Sequence, residues 1–201
     1  MLVWKESSPH PAPGFERGTF EHTVAFHGAP VLLGIKPAGL FTFDHGNARL
    51  TAELVRFNKK AAAKGLAIRT VCSCRKKMLL YLYHEQKLDA FLRTPAAADL
   101  LEKFGYTADM TLAEKLDRLV SRIEGIAEFP HESGVFLGYP PEDVQGFIDN
   151  GGRNYKLCGA WKVYGDERHA ARMFKNYGKC RRHLCAKLAQ GMSIYEALKI
   201  A

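Results

Sequence analysis

The chain has 201 residues, 47% of them hydrophobic, and a formal net charge of +8. This length fills one well-packed core and is short for two, so we expect a single domain. The longest apolar run, Met78 to Tyr83, is much shorter than a membrane span, and the first residues lack the apolar core of a signal peptide. These features argue against membrane insertion and secretion, and we expect a cytoplasmic protein.

The positive charge is concentrated in the last quarter of the chain. Residues 1–150 hold 18 basic and 18 acidic side chains, whereas residues 151–201 hold 11 basic and 3 acidic ones. Any attraction to an anionic partner therefore originates in that quarter. The five cysteines are odd in number and widely spread, which argues against a disulfide framework and suits a reducing compartment.

The first half of the chain predicts an arm, a helix and three strands. Residues 1–20 carry prolines and glycines without periodicity and form a loosely ordered arm, so the domain covers 21–201. The prolines and glycines in the run 27–41 predict a turn that is followed by a strand at 31–35. A helix capped by Asn47 and ended by Gly65 follows, and then come two strands that form an antiparallel hairpin, 66–74 and 78–83.

The second half alternates helices with two further strands. Start and stop signals predict helices at 85–92, 94–105, 111–125, 141–150 and 166–190, with a short terminal helix after Ser193. The apolar run 133–138 is typical of a strand buried on both faces, and the aromatic and β-branched run 155–164 of another strand. In that run, alternation predicts that Trp161 is buried and Lys162 points outward.

These elements indicate an α/β or α+β domain, with a mixed sheet of about four to six strands covered by helices. The mixed character follows from the helix that joins strand 31–35 to strand 66–73, because a crossover of that kind pairs two strands in parallel.

Long motifs carry a resemblance to a known family. They are HisGlyAlaProValLeuLeuGlyIleLysPro at 27–37, PheProHisGluSerGlyValPheLeuGlyTyrPro at 129–140, AspVal at 143–144, TrpLysValTyr at 161–164, and Phe174 with Cys180. In this order they resemble DUF3793, a bacterial family of unknown function, over nearly the whole chain. The resemblance implies a single-domain protein in an iron-related context. The family pattern has a cysteine after the histidine matched by His27, whereas this chain has Gly28.

Two histidines and a carboxylate are candidate metal ligands. His27, His131 and Glu132 lie where predicted strands begin, and imidazoles with a carboxylate suit iron, zinc or another transition ion. Adjacent residues on a strand point to opposite faces, so only a turn lets His131 and Glu132 share an ion. The alternative is structural, with His131 bonded to backbone and Glu132 paired with Lys36 or Arg153.

The same residues suggest an enzyme as the alternative to a binding protein. His131 and Glu132 are candidates for an acid and base pair, and Lys36, held between apolar residues, for an amine with a lowered pKa. Lysines in such positions more often extend their amine to solvent or pair with an acid. Because no Ser or Cys nucleophile lies beside His27 and no phosphate loop is present, the sequence favours binding.

A basic stripe is the best-defined surface feature. Arg168, Arg172, Lys175, Lys179 and Arg182 recur at spacings of 4, 3, 4 and 3 on one helix face without acidic partners. A solvated face is the usual explanation of such a stripe. Nucleic acid or a protein partner is an alternative, although no helix-turn-helix, RNP or zinc-finger pattern is present.

The function predicted from the sequence is a cytoplasmic protein that binds a metal ion, haem or another anionic cofactor. The residues predicted to contact the cofactor combine aromatic rings with cations of the basic stripe: Tyr139, Trp161, Arg172, Lys175 and Lys179.

Overall fold

The computed structural model describes residues 19–44, 49–74, 77–125 and 129–200. The described residues form helices and a small antiparallel sheet, so the structure is α+β, which is one of the two predicted fold classes. The chain divides into two compact units. We call residues 19–86 with 176–200 the sheet unit and residues 87–175 the helical unit. Residues 1–18 of the predicted arm, the Asn47 cap and the turn at 75–76 lie outside the described part.

The sheet unit contains a three-stranded sheet in the order β1-β3-β2, formed by β1 (Ala38–Asp44), β2 (Leu66–Cys74) and β3 (Lys77–His84). Both pairings are antiparallel. The predicted hairpin is confirmed. The predicted mixed sheet of four to six strands is wrong for the described residues, because β1 pairs with β3 and no parallel crossover is needed.

Residues 31–35 are not a strand, contrary to the prediction. Helix α1 (Phe20–Leu32) includes Pro30 and ends in a turn, in which the amides of Ile35 and Lys36 both donate to Pro30 O. Proline lacks the N–H that would bond the carbonyl four residues earlier, that of Phe26. Arg181 Nε donates to Phe26 O at 2.9 Å instead, so a side chain of the same unit satisfies the carbonyl.

The remaining helices of the sheet unit close its core. Helix α2 (Leu50–Ala61) continues as a 3₁₀ turn (Ala62–Lys64) and stops at Gly65, whose φ of 66° suits glycine. A terminal helix, α9 (Ile194–Leu198), begins at the predicted capping box of Ser193 and Glu196. The core of this unit lies between these helices and one sheet face, and its members include Phe41, Phe57, Leu80, Leu82, Leu184 and Ile194.

Most helices of the helical unit lie where the sequence predicts them. They are α3 (Glu85–Leu92), which begins two residues before the unit does, α4 (Pro95–Glu102), α5 (Leu112–Gly125) and α7 (Pro141–Asp149). The capping box of Thr111 and Glu114 is formed: Thr111 N donates to Glu114 Oε2 at 2.7 Å, and Glu114 N donates to Thr111 Oγ1 at 3.3 Å. The long helix α8 (Glu167–Ala189) contains the division between the units, after Lys175.

Two strand predictions in the helical unit are wrong. Residues 133–136 form a short buried helix, α6 (Ser133–Phe136), ended by Gly138 with a φ of 73°. A short apolar run that is buried all round has no periodicity to separate strand from helix. In 155–164, the predicted single strand is a small hairpin of β4 (Leu157–Cys158) and β5 (Lys162–Val163), because the chain turns at Gly159, whose amide donates to Trp161 O.

Within the described residues, none of the helices has the length and apolar character needed to cross a membrane.

Candidate functional site

The helical unit brings together three of the motifs that carry the resemblance, those at 129–140, 143–144 and 161–164. Asp143, in the first turn of α7, is 3% exposed, and its carboxylate accepts three hydrogen bonds. Trp161 Nε1 donates to Oδ2 at 2.6 Å, while the amides of Tyr164 and Gly165 each donate to Oδ1 at 2.7 Å. Asp143 thereby attaches the TrpLysValTyr segment to α7. The sequence marked Asp143 only through the AspVal motif at 143–144, which was a signal of this further role.

The motif aromatics pack on one another. Tyr139 and Trp161 are both buried and stack with ring centroids 5.1 Å apart, and Phe174 meets the Trp161 ring edge-on at 4.6 Å. The predicted burial of Trp161 is confirmed. This packing gives both rings a structural role, and their predicted contact with a cofactor stays a prediction.

Glu132 is the most deeply buried charged residue of the motif at 129–140, with 0% exposure. Its Oε1 accepts a hydrogen bond from Nε of Arg122 on α5. The expected partners, Lys36 and Arg153, are therefore replaced by an arginine ten residues earlier. Because the guanidinium is 31% exposed, this ion pair runs from the interior of the unit to its surface.

A tyrosine lies in the same polar centre. Burial, followed by the negative charge of Glu132, raises the pKa of Tyr106. The Arg118 guanidinium lies 5.3 Å from the Tyr106 ring centroid. Among the described residues, neither Tyr106 Oη nor Glu132 Oε2 has a hydrogen-bond partner. One is a donor and the other an acceptor, so the two groups are complementary.

His131 and Glu132 point in different directions, although they are adjacent. His131 is exposed and meets the Phe147 ring edge-on, with centroids 5.3 Å apart. Glu132 is enclosed and bonded to Arg122. The turn at 130–134, in which Gly134 N donates to His131 O, separates the two side chains. Their use as an acid and base pair stays a prediction.

Lys162 belongs to a surface cluster with His131, which we call the Lys162 cluster: His131, Phe147, Gly152, Tyr155 and Lys162. Lys162 Nζ donates to Gly152 O at 2.6 Å and lies 5.7 Å from the Phe147 ring centroid and 5.0 Å from that of Tyr155. The ammonium is thus fixed between two rings by cation–π contacts. Lys162 is half-buried rather than directed fully outward.

The glycine turn after α7 shapes this cluster. Gly151 and Gly152 have φ values of 55° and 71°, which side chains rarely adopt. A Cβ at Gly152 would also lie 2.9 Å from Phe147 Cε2 and 3.4 Å from Lys162 Nζ. Gly152 therefore lets the backbone carbonyl reach the ammonium between the rings.

His27 and Lys36 lie in the sheet unit. The His27 ring stacks on Phe41 at 5.8 Å, with 11° between the planes, and Lys36 Nζ lies 5.7 Å from the Tyr177 ring centroid. Within either unit, the described residues contain no group of three or more His, Cys, Asp or Glu side chains placed to hold a metal ion. The predicted site of His27, His131 and Glu132 draws on both units and stays a prediction.

The position at which the family pattern has a cysteine is tightly packed here. Gly28 is buried in α1, and a Cβ at this position would lie 2.4 Å from Leu82 Cδ2. In this chain the side chain of Leu82 occupies the space that a cysteine would need.

All five residues of the basic stripe are exposed on α8, and none forms an ion pair with a described residue: Arg168, Arg172, Lys175, Lys179 and Arg182.

The chain belongs to the DUF3793 family: the model of this family, described as a protein of unknown function, matches residues 24–198. The match contains every motif on which the resemblance was based. No curated protein and no solved structure matches the chain.

Proposed function

We propose that this protein binds a small anionic ligand, one bearing a phosphate or carboxylate group, at the Lys162 cluster. The observation that carries the proposal is the fixed ammonium of Lys162. An ammonium has three N–H donors, and Lys162 uses one of them on Gly152 O. In the described residues the other two have no hydrogen-bond acceptor and no carboxylate partner, so they are available to an anion.

Neighbouring groups add to the attraction. Tyr155 is 43% exposed, so its ring can contact the apolar part of a ligand. His131 lies against the same Phe147 ring as Lys162 and supplies a further donor, with a positive charge when protonated. The segment from 151 onward holds the basic excess of the chain, which favours the approach of anions.

The test compares two matched lysine variants in the full chain. Lys162→Met keeps the aliphatic stem between the rings and removes the charge, whereas Lys103→Met removes the charge of an exposed lysine outside the cluster, bonded to Gln145 Oε1. Inorganic phosphate and citrate serve as probes, and NMR signals of the His131 and Tyr155 rings report binding. We expect Lys162→Met to weaken binding about tenfold or more, as loss of a charged hydrogen bond does.

Lys103→Met should leave the affinity unchanged. The proposal would be overturned if neither anion shifts the ring signals, or if the wild type and Lys162→Met bind the anions with equal affinity.

A second candidate is binding of a nucleic acid through the basic stripe, which its exposure favours. Replacing Arg172, Lys175 and Lys179 by glutamine would then weaken binding of a single-stranded oligonucleotide and reduce its salt dependence. The cytoplasmic location remains part of the proposal and is supported by the dispersed cysteines.

A further inference from the structure

The two edges of the three-stranded sheet differ in how their backbone groups are bonded. On the outer edge of β2, the side chain of Asn58 on α2 bonds both backbone groups of Ile68. Its Nδ2 donates to Ile68 O at 2.8 Å, and Ile68 N donates to its Oδ1 at 2.7 Å. The asparagine amide takes the place of a neighbouring strand, so this edge is closed at Ile68.

The outer edge of β1 is open at Leu40 and Thr42. The antiparallel register places Pro37 opposite His84, and His84 N donates to Pro37 O at 2.8 Å. Hydrogen-bonded and non-hydrogen-bonded positions alternate along such a pair of strands. Every second residue from Pro37 therefore bonds β3, and the residues between them point their N–H and C=O groups away from β3. Among these, Leu40 and Thr42 have no hydrogen-bond partner for their backbone groups in the described part of the chain.

The side chains along this open edge allow a partner strand to approach. Thr42 is exposed and Leu40 is half-buried, whereas Phe41 and Phe43, on the core face, are each 5% exposed. Backbone donors and acceptors that face outward on an edge strand are a template for a further strand. Residues 38–43 contain no charge and no proline, which are two of the features that block such an edge in other proteins.

We propose that β1 pairs with β1 of a second copy of this chain, antiparallel and centred on Thr42. In this register the outward backbone groups of Thr42 bond those of the partner's Thr42, and those of Leu40 bond those of the partner's Asp44. On the core face, Phe41 lies opposite the partner's Phe43. Thr–Thr pairs and aromatic pairs are favourable across antiparallel strands. Because this register also places no like charges opposite each other between residues 40 and 44, the strand is complementary to itself.

The closed edge of β2 limits this assembly to two copies. Joined through β1, the two sheets form one antiparallel sheet with the strand order β2-β3-β1-β1-β3-β2, whose outer strands are both β2. Because Asn58 occupies the outward groups of Ile68, a third copy cannot continue the ladder there. A two-fold pairing of identical segments is closed in the same way. The inference is independent of the Lys162 cluster, which lies in the other unit.

Hydrogen exchange, measured by NMR on a dilution series of the full chain, tests where the pairing occurs. Sedimentation gives the fraction of dimer in each sample. Where about nine in ten chains are paired, the amides of Leu40 and Thr42 should exchange about tenfold more slowly than in the monomer. The amides of Phe41 and Ile68 are already bonded within the chain and should keep their rates. A chain that stays monomeric up to about 1 mM, or a dimer without this protection, would overturn the proposal.

Two charge variants at the centre of the register test its two-fold arrangement. Thr42→Lys and Thr42→Glu each place like charges opposite each other in a pair of identical chains, so each should weaken association about fivefold. A mixture of the two variants carries opposite charges at this position and should associate as well as the wild type. Thr70→Lys, at an exposed threonine of β2, is the matched control and should dimerise normally. Circular dichroism checks the fold of each variant. A mixture that associates no better than either variant alone would overturn the proposed register.

Discussion

Arg181 Nε lies 2.9 Å from Phe26 O, the carbonyl to which Pro30 cannot donate because it lacks an N–H. The guanidinium also lies 4.6 Å from the Phe26 ring centroid, so one side chain compensates the proline and packs on the same residue. The interaction joins helix α8 to the middle of α1 within the sheet unit. It explains how a helix continues through a proline, at a place where the sequence predicted a turn and a strand.

Replacing Arg181 by methionine should lower the free energy of unfolding by about 2 kcal/mol, since a charged donor is lost from a partly buried carbonyl. In a Pro30→Ala background the restored amide of residue 30 can donate to Phe26 O, so Arg181→Met should cost about 1 kcal/mol less there than in the wild type. Urea unfolding of the wild type, the two single variants and the double variant measures this coupling. Arg182→Met, on the exposed neighbour, is the control, and additive effects of Pro30→Ala and Arg181→Met would contradict the explanation.

Asp143→Ala should be among the most damaging single changes in the helical unit. It leaves three donors without an acceptor, from Trp161, Tyr164 and Gly165, and should cost about 3 kcal/mol or more. Thermal unfolding and the near-ultraviolet signal of Trp161 measure the effect. Asp149→Ala removes an exposed carboxylate from the same helix and should stay within about 0.5 kcal/mol of the wild type.

The two partners of the buried ion pair should respond unequally to substitution. Arg122→Met leaves Glu132 fully enclosed without its partner and should cost about 3 kcal/mol. Glu132→Gln keeps an oxygen that can accept from Arg122, whose guanidinium is partly solvated, and should cost about 1 kcal/mol. Chemical denaturation of both variants decides the order. A larger loss for Glu132→Gln would show that the arginine, not the carboxylate, depends on the pair.

The sequence predicted local structure well where a residue type carries its own physical signal. Capping boxes at Thr111 and Ser193, the proline start of α7 and the glycine stop at Gly65 depend on nearby atoms, so they could be identified without a fold. The apolar run 133–138 was misassigned because it is buried without a periodicity that separates strand from helix, and the run 31–35 because α1 continues through Pro30 into it.

The candidate site was predictable only in part for the same reason. His131 and Lys162 stand in recognisable motifs, but their common neighbour Phe147 lies outside those motifs. Partners separated widely in sequence, such as Asp143 and Trp161, meet only when tertiary packing brings them together. The burial of Lys115 on α5, where it is 4% exposed, carried no signal either, since its position in a charged, amphipathic helix looks ordinary.

Two glycines inside helices should differ in their tolerance of a side chain. A Cβ at Gly28 would lie 2.4 Å from buried Leu82 Cδ2, whereas at Gly178 in α8 the nearest atom is Arg182 Nη1 at 3.5 Å. Gly178→Ala should stabilise by about 0.5–1 kcal/mol through helix propensity. Gly28→Ala should be about 2 kcal/mol less stable than Gly178→Ala because of overpacking, and Gly28→Cys should behave similarly. Equal unfolding temperatures of the two alanine variants would contradict this.

Lys115→Met should stabilise the protein near neutral pH. The methionine side chain fills a similar space without a charge that has no ion-pair partner among the described residues, and the expected gain in the free energy of unfolding is about 1 kcal/mol. Lys103→Met, at an exposed site in the same unit, should change stability by less than about 0.5 kcal/mol. A loss of stability in Lys115→Met would show that the amine is better solvated than its burial indicates.

The pH dependence of this gain has a definite sign. The pKa of Lys115 in the folded protein is lowered by burial below its ordinary value in the unfolded chain, so between these two pKa values the unfolded chain binds more protons than the native one. Raising the pH through that window therefore stabilises the wild type. The advantage of Lys115→Met should be constant below the folded pKa, shrink as the pH rises through the window, and vanish above the unfolded value. Urea unfolding of the wild type and Lys115→Met at about pH 7 and about pH 10 measures how this advantage changes with pH. The contributions of the other titratable groups cancel, because both proteins contain them. An advantage that stays equal at both pH values would mean that the amine keeps an ordinary pKa.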